Sequence, residues 1–416
     1  AQAKALSSAA LNALSSDQMA SIETADIAAL TTDQLSKLST TLVSKLSTDQ
    51  IVALSADQVK ALTTAQVASL TSDQLNNMAS DDLQALTTAQ VKVLTNDQMA
   101  KLSSDQVALL QTSQIAALSS LQVSKLSTDA IASLTIDQVK QLSISALNAM
   151  TSDQLGALES DAISALTTAQ LSKLSTDQLV QLNTAQIEAL TTGQTQSLTT
   201  AQIASLTNDQ LNNMASDDLQ ALTTTQVKAL TTAQISQLTA AQVALMETSD
   251  IAALTTAQAE KLTTGAVAAL TTDQIKALTS ASMNALTSDQ IKAIEVEDVA
   301  VMTTEQVKNL STTQVTRLTT AQLEALTTSQ VQALTSLQVS VLSSLQINNL
   351  AADDVKALLT SQIRALTSDQ ISNISTDQIG NLTTSQLAAL TTAQTSALTS
   401  GQIESMTSDQ LGALPF

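Results

Sequence analysis

The sequence predicts an all-α solenoid, a superhelix of ultrashort helices with one helix per eight-residue repeat, and three observations lead there. Every eighth residue from Leu6 to Leu414 is Leu, Ile or Met, with no insertion or deletion anywhere between them. So strict a phase is the mark of stacked, near-identical units. Within each octad the large apolar residues are spaced five and three apart, which suits neither a strand nor an unbroken helix. Finally, Ser or Thr followed three residues later by Gln precedes most of the apolar pairs, the pattern by which a helix start caps itself.

The octad Leu30-Thr31-Thr32-Asp33-Gln34-Leu35-Ser36-Lys37 serves as the reference. Large apolar residues hold positions 1 and 6. Ser or Thr dominates 2 and 3, Asp and Ala alternate at 4, Gln is usual at 5, and 8 is small or polar. On a strand, positions 1 and 6 would face opposite sides and could not share one core. On a continuous helix the stripe would drift by roughly 40° every four residues. A helix broken once per octad removes both conflicts.

Each element of the octad then has an assigned task. Thr31 is the N-cap and Gln34 the N3 partner, each side chain satisfying the other's orphan backbone N–H. Leu30 at N′ and Leu35 at N4 form a hydrophobic staple. Asp33 at N2 complements the helix dipole. The next Leu-Ser/Thr ends the helix after roughly five to seven residues, far too few to persist alone. Stability must therefore come from neighbouring octads that bury positions 1, 6 and 8 together, as in any one-dimensional array.

Octads that depart from the phrase support a contact between positions 2 and 5. Asp replaces Gln at Asp26, Asp82, Asp218, Asp250, Asp298 and Asp354, where position 2 holds Glu23, Ala79, Ala215, Glu247, Glu295 and Ala351, none of them Ser or Thr. Gln111 with Gln114 and Leu359 with Gln362 keep the Gln without a hydroxyl partner. At the Asp octads the cap is expected to move one residue on, for instance to Ser80 with Asp82 at N2. At Thr195, Ala259 and Thr395 position 6 loses its large side chain, so faster amide exchange is expected there.

No composition shift or linker interrupts the array, so residues 1–416 are expected to form a single repeat domain of about 52 octads. Three blocks of seventeen octads, 7–142, 143–278 and 279–414, fill it. Residues 75–88 recur unchanged at 211–224 and in altered form at 347–360. Either the block is a convenient length to duplicate, or seventeen octads complete whole superhelical turns.

Composition excludes much. The chain has no His or Cys, which removes the usual zinc, copper and haem ligands, imidazole and thiol nucleophiles, and disulfides. A formal charge of −20 disfavours a nucleic-acid partner or docking on anionic lipid. No apolar run is long enough to span or insert into a membrane. The N-terminus Ala1-Gln2-Ala3-Lys4 shows no signal peptide, which is read as absent or removed. The paired Asp81-Asp82, Asp217-Asp218 and Asp353-Asp354 lack the ligand spacing of a calcium loop and read as acids in a first helical turn. Ser replaces Thr freely, as at Ser15-Ser16 and Ser103-Ser104, which weakens an ice-binding reading of the Thr ladder. Met residues read as core filler, and the isolated Gly193, Gly265 and Gly401 form no phosphate loop. No catalytic, cofactor-binding or metal-binding residue is assigned, and an enzyme is not expected.

Phrases such as Ala29-Leu30-Thr31-Thr32-Asp33-Gln34 and Ala221-Leu222-Thr223-Thr224-Thr225-Gln226-Val227 resemble the octapeptide repeat stretches of large bacterial exported or cell-surface proteins. The likeness runs through essentially the whole chain. It implies an extracellular or cell-surface location and a structural role: the shaft of a filament, a stalk or an adhesin spacer. A binding module for peptide or glycan is the alternative. The expected partners are further copies or neighbouring segments of the same array, since Leu6 and Leu414, with Pro415 and Phe416 beyond, provide no obvious polar cap.

Overall fold

A computed structural model describes residues 3–415, and among them every regular element is helical. After a short 3₁₀ turn at Ala3–Ala5, one α-helix follows another at intervals of eight residues, from Ser8–Asn12 to Ser408–Gly412. The helices run from four residues, as in Thr40–Val43, to six, as in Ala56–Ala61, at or just below the expected length. Phe416 lies outside the described residues. The chain divides after Asp218 into two compact units of the same construction.

The local grammar follows the octad. Thr31 has extended backbone and its Oγ1 accepts the N–H of Gln34 at 3.1 Å, while Gln34 Oε1 accepts the N–H of Thr31 at 2.8 Å. This reciprocal pair recurs in most octads of both units. Leu30 and Leu35, flanking the cap, are both buried. The helix ends when the next position-1 residue turns extended: Leu62 has φ −58° and ψ 136°, and its N–H closes a last short turn on Val59 at 3.2 Å. No described residue has positive φ. The chain turns each corner through two extended residues, Leu then Ser or Thr, and so needs no glycine C-caps.

Stacking sets the second dimension. In the first unit, the helix Thr64–Ser69 packs on Thr40–Val43 on one side and Thr88–Val91 on the other, each three octads away. In the second unit, Thr312–Arg317 lies between Ser288–Ala293 and Ser336–Ser340 in the same relation. Hydrogen bonds between layers join residues 25 to 31 apart, so a turn of the superhelix takes between three and four octads.

Burial corrects one expectation. Positions 1 and 6 form the core, but the third buried position is 5 and not 8: Gln66 is 1% exposed, whereas Lys37 is exposed and Ser69 half-buried. Position 8 sits at the rim, with only occasional small residues such as Ala85 and Ala389 buried. A polar amide inside an aliphatic core must have its hydrogen bonds met.

Candidate functional site

The inward Gln side chain at position 5 is the most elaborate polar arrangement in the molecule. Gln66 Oε1 accepts from the N–H of Thr63 at 2.7 Å and from its hydroxyl at 3.1 Å. Its Nε2 donates to the carbonyls of Leu35 and Leu38, both at 2.8 Å, one layer below. Those carbonyls belong to position 6 of one octad and position 1 of the next, where the helix runs out: Leu35 accepts the closing N–H of Leu38, at 3.1 Å, and Leu38 accepts no backbone N–H. One carboxamide thus caps the start of its own helix and the end of another.

The same two bonds, to residues 31 and 28 positions back, recur along both units. Gln98 reaches Val67 and Leu70, Gln202 reaches Leu171 and Leu174, and Gln386 reaches Val355 and Leu358. The result is a ladder of buried amides parallel to the aliphatic core. It also explains the octads in which Gln persists without a hydroxyl. Gln114 and Gln362 keep their bonds to the N–H groups of Gln111 and Leu359 and their two carbonyls below, so only the return bond of the cap is missing.

Where Gln is lost, neighbours take over part of its work. Ser282 Oγ donates to Leu254 at 3.0 Å, one of the two usual bonds. Leu42 makes none, and Asn12 from the layer below accepts the N–H of Ser39 and donates to the carbonyl of Lys37, each at 2.7 Å. Asn348 likewise takes the N–H of Ser375 from Gln378.

The Asp octads overturn the expected cap shift. The helix beginning at Ser80 keeps its register, with Ala79 at the N-cap and no side-chain cap bond, so Asp82 is at N3 and not N2. Glu23, Glu247, Glu295 and Ala351 are also uncapping N-cap residues. Stacking fixes where each helix starts, and it outweighs the roughly 1 kcal/mol available from a Ser80 cap. Asp82, Asp218, Asp250, Asp298 and Asp354 are consequently driven inward. Burial, reinforced by the neighbouring Asp81, Asp217 and Glu247 respectively, pushes the carboxyls of Asp82, Asp218 and Asp250 up to about 6. Burial also raises Asp298, beside Glu297 and Glu295, and Asp354, beside Asp353. All six paired acids lie in a first helical turn, as the sequence predicts, with Asp81, Asp217 and Asp353 exposed and Asp82, Asp218 and Asp354 buried.

Elsewhere the surface at positions 2 to 4 is made mainly of Ser, Thr, Ala and Asp, with shallow interlayer grooves such as that of Lys60, Asp81, Gln84 and Thr88. Among the described residues no three acidic side chains converge to hold a metal ion, and no helix is long and apolar enough to cross a membrane. The few ion pairs are exposed, among them Lys37 with Asp33 at 2.7 Å.

Comparison with known proteins agrees with this anatomy. The ALTTAQ repeat matches at residues 19–56, 43–80, 75–112, 157–192, 168–200, 211–246, 243–280, 291–328 and 347–384, well over half the chain. No curated protein matches it. The hydrogen-bonded Thr and Gln of that phrase are the N-cap and ladder residues, and the chain belongs to the ALTTAQ repeat family.

Proposed function

We propose that this protein is a structural element, a rigid solenoid serving as the shaft of an extracellular filament or as the stalk or spacer of a surface adhesin, and not an enzyme. The observation that carries the reading is the ladder itself. Successive layers are joined by the same pair of buried amide bonds, Gln66 to Leu35 and Leu38 in the first unit and Gln322 to Ile291 and Ile294 in the second. Each layer is a near copy of its neighbour, so the natural partner of the array is more of the array. Nothing in the octad varies in the way a recognition surface would require, with no aromatic or charged cluster at positions 3, 4 and 7. The likeness to repeats of bacterial exported and surface proteins supports the location.

Negative-stain imaging and sedimentation velocity at several concentrations test this reading. A spacer gives particles of one length, and a filament subunit gives particles that lengthen with concentration; compact particles of neither kind would refute the structural role. Fractionation of cells producing the protein, with protease applied to intact cells, tests the surface location.

A further inference from the structure

We propose that the buried Asp residues at position 5 are proton-operated clasps, which bind a layer more firmly to the one below when the carboxyl takes up a proton.

The argument is one of donors and acceptors. In a Gln octad the socket presents one N–H, which needs an acceptor, and two carbonyls, of which that of position 6 already takes a backbone N–H and that of position 1 takes none; the carboxamide bonds to all three. Counted back by the same 31 and 28 residues, the carbonyls that correspond are those of Ile51 and Leu54 for Asp82, and of Leu219 and Leu222 for Asp250. An ionised carboxylate can accept from the N-cap but has nothing to donate, so oxygen faces oxygen. The side chain is also one methylene shorter than Gln. Asp218 shows the consequence: its Oδ2 is buried and has no hydrogen-bond partner. A proton taken from solvent converts the acceptor into a hydroxyl donor and removes the buried charge. The raised affinity of Asp82, Asp218 and Asp250 for a proton, at about pH 6, agrees with this geometry.

No nearby cation neutralises the clasps. The helices packed on that of Asp82 carry Asp57, Lys60 and Asp105, and those packed on that of Asp250 carry Lys228, Asp273 and Lys276. Asp298 has Asp273, Lys276 and Glu324 on its neighbouring helices, besides Glu295 and Glu297 on its own octad. Asp354 has Asp353 and Lys356 on its own helix, an uncharged helix below it at Thr328–Ala333, and Asp377 three octads on. Asp218 has Asp217 beside it and the uncharged Thr192–Ser197 three octads back. Among the described residues none of these lysines pairs with a position-5 carboxyl; Lys276 and Lys356 lie against Asp273 and Asp353. Asp82, Asp218 and Asp354 occupy the same place in the three blocks, so each block carries this clasp once. The folded chain holds these protons more tightly than the unfolded chain, so the stability they give is complete below about pH 4 and is lost as pH rises through about 6.

Urea denaturation of the full chain between pH 8 and pH 5 tests the clasps against the variant Asp82→Gln, Asp218→Gln, Asp250→Gln, Asp298→Gln and Asp354→Gln. The expected result is a midpoint that rises on acidification in the natural chain by clearly more than in the variant, whose sockets are already filled. Parallel pH profiles would overturn the proposal. Should the variant not fold, infrared titration of the natural chain decides: a set of carboxyls protonating near pH 6 upholds the clasps, and titration of all carboxyls in the usual range overturns them. Calcium chloride at pH 8 that reproduces the acid-induced gain would also overturn the proton as occupant.

Discussion

Replacing Gln66 with Glu separates the two roles of the ladder residue. As an N3 capping partner Glu is as good as Gln, and its charge near the helix N-terminus is worth about 0.3–1 kcal/mol in its favour. If capping were the whole role, Gln66→Glu would therefore be neutral or slightly stabilising. The structure predicts the opposite. Nε2 of Gln66 makes two bonds of 2.8 Å to the carbonyls of Leu35 and Leu38, and both vanish at a loss of about 1 kcal/mol each. The carboxylate must also remain charged at a site only 1% exposed and facing two oxygens. A rise in its pKa as large as that at Asp82, which is pushed up to about 6, adds up to about 3 kcal/mol at pH 8. Allowing for the dipole, the net cost is up to about 4 kcal/mol at pH 8 and falls towards about 2 at pH 5. Urea denaturation at both pH values measures it, and amide exchange of residues 30–70 locates it. A change within about 0.5 kcal/mol of the natural chain at pH 8 would refute the bridging role.

Other outcomes follow from the same structure. Thr63→Ala removes only the cap and should cost about 1 kcal/mol, well below Gln66→Glu at pH 8. Leu155→Ala, in a side chain only 1% exposed, should cost about 3 to 5 kcal/mol by opening a cavity between layers, with the effect in exchange confined to adjoining turns. Thr88→Ala, at an exposed position 3, should change stability by less than about 0.5 kcal/mol. Amides around Ala259 and Thr395, where small side chains occupy buried position 6, should exchange faster than those of flanking octads in a native-state exchange experiment.

The grammar of a single octad was legible in the sequence because it is local. Thr31, Gln34, Leu30 and Leu35 lie within six residues of one another, and the capping box and staple are read from spacing alone. What happens between octads was not legible. The partners of Gln66 Nε2 lie 28 and 31 residues back, a separation set by how many octads close a turn, and a strict period of eight gives no hint of that number. Position 5 was therefore assigned to the cap and position 8 to the core, whereas the amide goes inside and Lys37 outside. A signal for the bridge did exist: Gln114 and Gln362 persist where their capping partners are gone, which a purely local role does not explain. The unshifted caps at Ala79 and Ala351 teach the same lesson from the other side, since stacking fixes the register before a Ser80 cap can change it.

The most direct test is a distance across one turn. The chain has no Cys, so Ser72→Cys and Asp97→Cys can be labelled cleanly with nitroxides; in the structure Ser72 Oγ donates to the carbonyl of Asp97 at 3.2 Å. Stacked layers place the two positions within about 10 Å, giving strong dipolar broadening at low temperature. A continuous helix would hold them roughly 38 Å apart, and an unbroadened spectrum with a long pulsed-dipolar distance would contradict the solenoid.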